Sequence, residues 1–111
     1  MSSNNSASST PDDRTDVPPP PSWPFFPLGR VVATRGVALH LERHGIDAVS
    51  YLRMHAWGDW GAIPPEDAEA NRQAVAHGGR ILSSYSIANE RVWIITEADR
   101  SVTTLLLPEE Y

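Results

Sequence analysis

The stretch "RILSSYSIANERVWIITEADRSVTTLLLP", residues 80–108, decides the fold class. In "RILSSYSI" (80–87), Ile81, Ser83, Tyr85 and Ile87 fall on one face, and that period of two belongs to a strand. "RVWIITEAD" (91–99) is rich in β-branched and aromatic residues, and "VTTLLLP" (102–108) closes the run. The intervening "ANE" and "RS" are short enough for hairpin turns. Three strands so connected predict a three-stranded antiparallel meander. Leu105 and Leu107 would share one face and Leu106 the other. That predicts cover on both sides: either helices on one face and a partner on the other, or a strand that pairs across a homodimer. The closing "PEEY" reads as an acidic tail that reaches a basic partner.

Upstream the period changes. "GRVVAT" (29–34) is a short β-branched run and a candidate strand. Thr34 then caps a helix over "RGVALHLERHG" (35–45), with Val37, Ala38 and Leu41 on one face and Gly45 past its end. Asp47 caps a second helix, "AVSYLRMHA" (48–56), with Val49, Leu52 and Ala56 at helical spacing. "WGDWGAIPP" follows as a turn. "EDAEANRQAVAH" (66–77) opens with acidic groups, which suit a helix N-terminus, and Gly78-Gly79 ends it. A short N-terminal strand, two or three helices and a meander make an α+β domain over residues 27–111.

Residues 1–26 read as a disordered Ser/Pro-rich tail with an aromatic segment. "MSSNNSASSTPDDRTD" is too polar to offset its ordering entropy. The four prolines of "VPPPPSWP" favour a stiff polyproline II spacer, preferred here over a ligand for an SH3-like or WW-like groove. Trp23, Phe25 and Phe26 are too apolar for a free tail, so "SWPFFPLG" folds back onto the domain or meets a partner.

Composition narrows the function. At 111 residues the chain holds one domain with a modest core. It has no Cys, which excludes disulfides and thiolate metal sites. A net charge of -5 argues against broad nucleic-acid binding, which needs clustered positive charge. All nine basic residues are Arg, which a genome rich in G and C explains without a function. No signal-peptide pattern and no apolar run near the ~18 residues of a membrane helix is present, so a cytoplasmic protein without membrane contact is expected.

Several residue sets are candidates for chemistry. His40 and His44 in "HLERH" stand at i and i+4, a zinc-ligand spacing, but Leu41 replaces the glutamate of the protease motif. No third ligand is evident, so no metal and no cofactor is expected, and both histidines read as surface groups. In "HAWGDWG" (55–61), His55 is a candidate general acid or base that Asp59 orients. The structural alternative makes Gly58 a helix terminator, Asp59 a turn acceptor, and Trp57 and Trp60 packing groups on opposite sides of the loop. The strands add Arg80, Ser83, Tyr85, Thr96, Arg100, Thr103 and Thr104. Helices ahead of an antiparallel sheet is the coarse plan of barnase, colicin and RelE-like ribonucleases. On that analogy His55 is the base, Arg80 and Arg100 hold the phosphate, and Thr103 positions it. The structural alternative for "EADRS" has Asp99 and Ser101 forming the turn and Arg100 pointing to water.

"HAWGDWG", "RILSSY" and "VWIITEADRSVTTLLLPEEY" resemble a family of small bacterial proteins carried on plasmids and other mobile elements, labelled "plasmid related protein". Some members carry the label of a type I restriction endonuclease subunit M. This chain is too short for that label and lacks the glycine-rich cofactor loop of a methyltransferase. The resemblance covers about residues 27–111 and implies a mobile-element setting. The expected function is a non-catalytic protein-interaction module, an inhibitor or modulator of a host defence or toxin system. Trp57, Asp59, Trp60 and Trp93 are the candidate partner-binding residues. A metal-independent ribonuclease is the alternative.

Overall fold

The computed structural model describes residues 25–111. The expected disordered tail and polyproline spacer lie outside the described residues. Strand β1 (Arg30–Ala33) is followed by helices α1 (Arg35–His44), α2 (Val49–Ala56) and α3 (Pro65–His77). Strands β2 (Ile81–Ile87), β3 (Glu90–Thr96) and β4 (Val102–Leu106) come next, and a 3-10 turn over Pro108–Glu110 ends the chain.

The α+β class holds, but the sheet is not a three-stranded antiparallel meander. It is a four-stranded mixed sheet in the order β1-β4-β3-β2. β2, β3 and β4 do pair antiparallel in sequence. β1 then lies parallel to β4, with Arg30 beside Val102 and Ala33 beside Leu105. Parallel neighbours need a long crossover, and here the rest of the domain provides it. Gly29 makes the entry possible at a φ of 65°, because a side chain there would run into the carbonyls of Arg100 and Ser101.

Local signals behave as their chemistry demands. Thr34 accepts from the Val37 N–H, and Gly45 ends α1 at a φ of 63°. Asp47 accepts from the Val49 N–H at 3.0 Å. Ala88 and Asn89 both take positive φ in the β2–β3 turn, as a tight hairpin of right-handed twist requires. "PEEY" is not a free acidic tail. The Glu110 carboxylate accepts from the Gly36 and Leu107 N–H groups at 3.0 and 2.8 Å and from the Thr34 hydroxyl, so it caps α1. Tyr111 packs its ring on Trp93.

The free edge of β2 is covered. Asn71 of α3 donates to the Leu82 carbonyl at 2.8 Å and accepts from the Leu82 N–H at 3.1 Å. The loop after α2 pairs beside it: Ser84 N–H donates to the Trp60 carbonyl and Ala62 N–H to the Ser84 carbonyl.

Helices and sheet enclose two apolar clusters. One joins Val37 to Tyr85, Ile87, Val92, Ile94 and Leu105. The other joins Phe26, Trp60, Ala74 and Ile81. Phe26 is buried although it lies on the tail side of residue 27. On α1 the buried residues are Val37 and His40, whereas Ala38 is exposed. His40 is therefore no surface group: its Nε2 meets the Ile87 carbonyl at 2.8 Å.

Candidate functional site

The chemistry foreseen in "HAWGDWG" is sealed inside the domain. His55 stands one residue before the end of α2 and is fully buried. Its Nδ1 lies 2.5 Å from Ser83 Oγ and its Nε2 2.9 Å from Thr96 Oγ1. Thr96 and Thr103 are cross-strand partners with their hydroxyl oxygens 2.7 Å apart. Thr103 in turn donates to the Leu28 carbonyl at 2.7 Å. Phe26 presses on the imidazole edge-on, with ring centres 5.2 Å apart.

The proton positions follow from counting hydrogens. The Leu28 carbonyl has none, so the Thr103 hydroxyl donates to it. Thr103 has then used its hydrogen, so Thr96 donates to Thr103. Thr96 has used its own, so Nε2–H of His55 donates to Thr96. The neutral ring then carries a lone pair at Nδ1, which accepts from Ser83. Every buried hydroxyl in the row is satisfied in one direction. Burial pushes His55 down from 6.5 to about 4, so it is neutral near pH 7. A second proton would also place a donor at Nδ1 against the Ser83 donor.

The candidate catalytic residues divide. His55 and Thr103 share one buried row, joined through Thr96. Arg80 is at the surface, donating to the Tyr111 hydroxyl at 2.7 Å and pairing with Glu97 at 3.3 Å. Arg100 does not point to water. In a turn residue with a φ of 62°, its guanidinium donates to the carbonyls of Gly79 at 2.5 Å and Ala74 at 2.8 Å. It thereby closes the C-terminal end of α3 and lies 5.5 Å from the centre of the Phe26 ring. Phe26 thus stands against both Arg100 and His55. Asp99 does make the turn, accepting from the Ser101 N–H and hydroxyl.

The candidate partner residues divide too. Trp60 is core, and its Nε1 donates to the His55 carbonyl at 3.2 Å. Asp59 acts through its backbone: its N–H donates to Met54 and its carbonyl accepts from Tyr85 at 2.5 Å. Burial raises that Tyr85 phenol to about 12, so it stays a donor. Trp93 is in register with Leu106, on the sheet face away from the helices. Trp57 is half-buried and opens onto an apolar groove of about 320 Å³ that it lines with Leu28, Val49, Leu52, Arg53 and Ala56.

That groove was not expected from the sequence. Val49, Leu52 and Ala56 are spaced as an inward face, yet Val49 is 52% exposed. α2 carries apolar side chains around more of its girth than one interface can use. Tyr51, Leu52 and Met54 pack on the first cluster, leaving Val49 outward. The signal was present as an excess of apolar positions in a helix of 8 residues.

Among the described residues no group of three or more His, Asp or Glu side chains is placed to hold a metal ion. No helix there is long and apolar enough to cross a membrane. No protein-family model, curated protein or solved structure matches this chain.

Proposed function

We propose that the chain is a non-catalytic protein-interaction module whose docking surface is the groove on α2. One observation carries the reading. The side chains with catalytic chemistry, His55 and Thr103, have no exposed surface, whereas Val49 and Phe25 beside the groove are 52% and 51% exposed. A buried imidazole cannot touch a substrate. An exposed apolar groove is a place for a partner's anchor. Arg53 lines it as an exposed cation, so the fitting partner segment is an amphipathic helix with an apolar stripe and a carboxylate beside it. The mobile-element setting, and the role as an inhibitor or modulator of host defence or of a toxin, rest on the resemblance of the C-terminal block.

A photo-crosslinking residue placed at position 49 of the full chain, expressed in host cells, tests this. The expected result is one dominant adduct with a second protein, lost when Phe25→Asp is added. Adducts that survive Phe25→Asp unchanged, or none, would overturn the reading. Total RNA should stay intact on expression, whether or not His55→Ala and Arg100→Ala are present.

A further inference from the structure

The two edges of the sheet differ. Asn71 and the loop after α2 cover β2, whereas no described residue covers β1. β1 ends the order β1-β4-β3-β2, and its partner strand is β4. The Arg30 N–H donates to the Ser101 carbonyl at 3.0 Å and the Thr34 N–H to the Leu105 carbonyl at 2.9 Å. The even-numbered residues therefore aim their backbone groups at β4, and alternation turns those of Val31 and Ala33 the other way. No backbone group of the described residues meets them. Arg30, Val31 and Ala33 are exposed, Val31 to 43%. β1 thus presents the N–H and carbonyl groups of Val31 and Ala33 beside an exposed valine, which are the groups that a further strand would take up.

We propose that β1 receives an extended segment of a partner protein as a fifth strand of the sheet, and that carboxylates at the two ends of that segment select it. Backbone hydrogen bonds supply the contact, and the side chains choose the partner. The charges name its chemistry. Arg30 at the start of the strand and Arg35 just past its end are both exposed. Neither forms an ion pair among the described residues. The Glu110 carboxylate bonded at Gly36 is already held by backbone N–H groups. The incoming strand is therefore apolar in the middle, where it meets Val31 and Val32, and acidic at both ends. A second copy of this chain fits less well. Antiparallel pairing of β1 with itself about Val32 sets Val31 opposite Ala33 and Arg30 opposite Thr34. Arg30 of one copy then stands beside Arg35 of the other at both ends, and like charges so placed repel. This edge uses no residue of the groove on α2 and stands without it.

Two peptides, acetyl-Glu-Val-Thr-Val-Glu-amide and its counterpart with Lys at both ends, test this on the full chain by amide NMR. The acidic peptide is expected to shift the Val31 and Ala33 amides and slow their exchange, leaving the Leu82 amide at the opposite edge unchanged. The Lys peptide should bind at least about tenfold more weakly, and Arg30→Glu with Arg35→Glu should reverse the order. Val31→Pro removes an outward N–H and spares the β1–β4 ladder. It should weaken the acidic peptide at least about tenfold while the β3 and β4 amide signals hold. Equal binding of the two peptides, binding that ignores Val31→Pro, or no binding would overturn the proposal. So would Val31 and Ala33 amides that are protected before any peptide is added and lose protection on dilution, which would make the occupant a second copy. The crosslink at position 49 reads a different surface, so the two proposals fail separately.

Discussion

The imidazole of His55 titrates against the fold. In the unfolded chain its pKa is about 6.5, and in the folded chain burial lowers it to about 4. Above both values neither state is protonated, and stability is at its full value. As pH falls from about 6.5 to about 4, the unfolded state takes up a proton that the folded state refuses, so stability drops. From these two values the loss at pH 5 relative to pH 7 is about 2 kcal/mol. Urea melts at the two pH values measure it, and His55→Ala should remove the dependence within that window. The hydroxyl row has its own test. Thr103→Val keeps the shape but leaves the Leu28 carbonyl without its donor, which costs roughly 1–3 kcal/mol. Chemical denaturation of the two proteins checks the difference.

Among the elements, the edge of β2 is the place where a side chain substitutes for a strand. Asn71 makes both hydrogen bonds that a neighbouring strand would make at Leu82. Asn71→Ala removes both, with an expected loss of about 1–3 kcal/mol. Amide exchange locates the effect: the Leu82 N–H should exchange faster, while the Ser84 N–H, held by the Trp60 carbonyl, should not. An amphipathic reading of α3 finds no reason for Asn71 to be buried, because its partner is backbone.

At the scale of the molecule, the segment before β1 is part of the core on one side chain and surface on the next. Phe26 is 3% exposed and touches His55, Arg100 and the second cluster, whereas Phe25 is 51% exposed. Phe26→Ala should cost about 3–5 kcal/mol through the cavity it leaves. Phe25→Ala should stay within about 1 kcal/mol. Thermal melts of the two variants compare them directly. The folded unit therefore includes the aromatic pair that the sequence reading assigned to the tail.

What the sequence determined by itself is local. Hydrophobic period and turn chemistry set the three helices and the C-terminal strands to within three residues, the largest miss being β3, which ends at Thr96 rather than Asp99. Thr34, Asp47 and Gly45 act within a few bonds of where they stand. The inward phase of Ser83, Thr96 and Thr103 was readable as well, since alternation sets which side of a strand faces the core. Tertiary structure alone decided the rest. β1 finds β4 across more than sixty residues, and no local pattern encodes a parallel partner. His55 lies in a helix, and only packing of that helix on the sheet shows that its two nitrogens meet hydroxyls rather than a substrate. Arg100 reaches the carbonyls of Ala74 and Gly79 at the end of α3 from more than twenty residues away in sequence, and only the packing of the β3–β4 turn against that helix end brings them together. The groove on α2 exists for the same reason: a short helix with apolar residues around its girth can bury only the faces its neighbours reach.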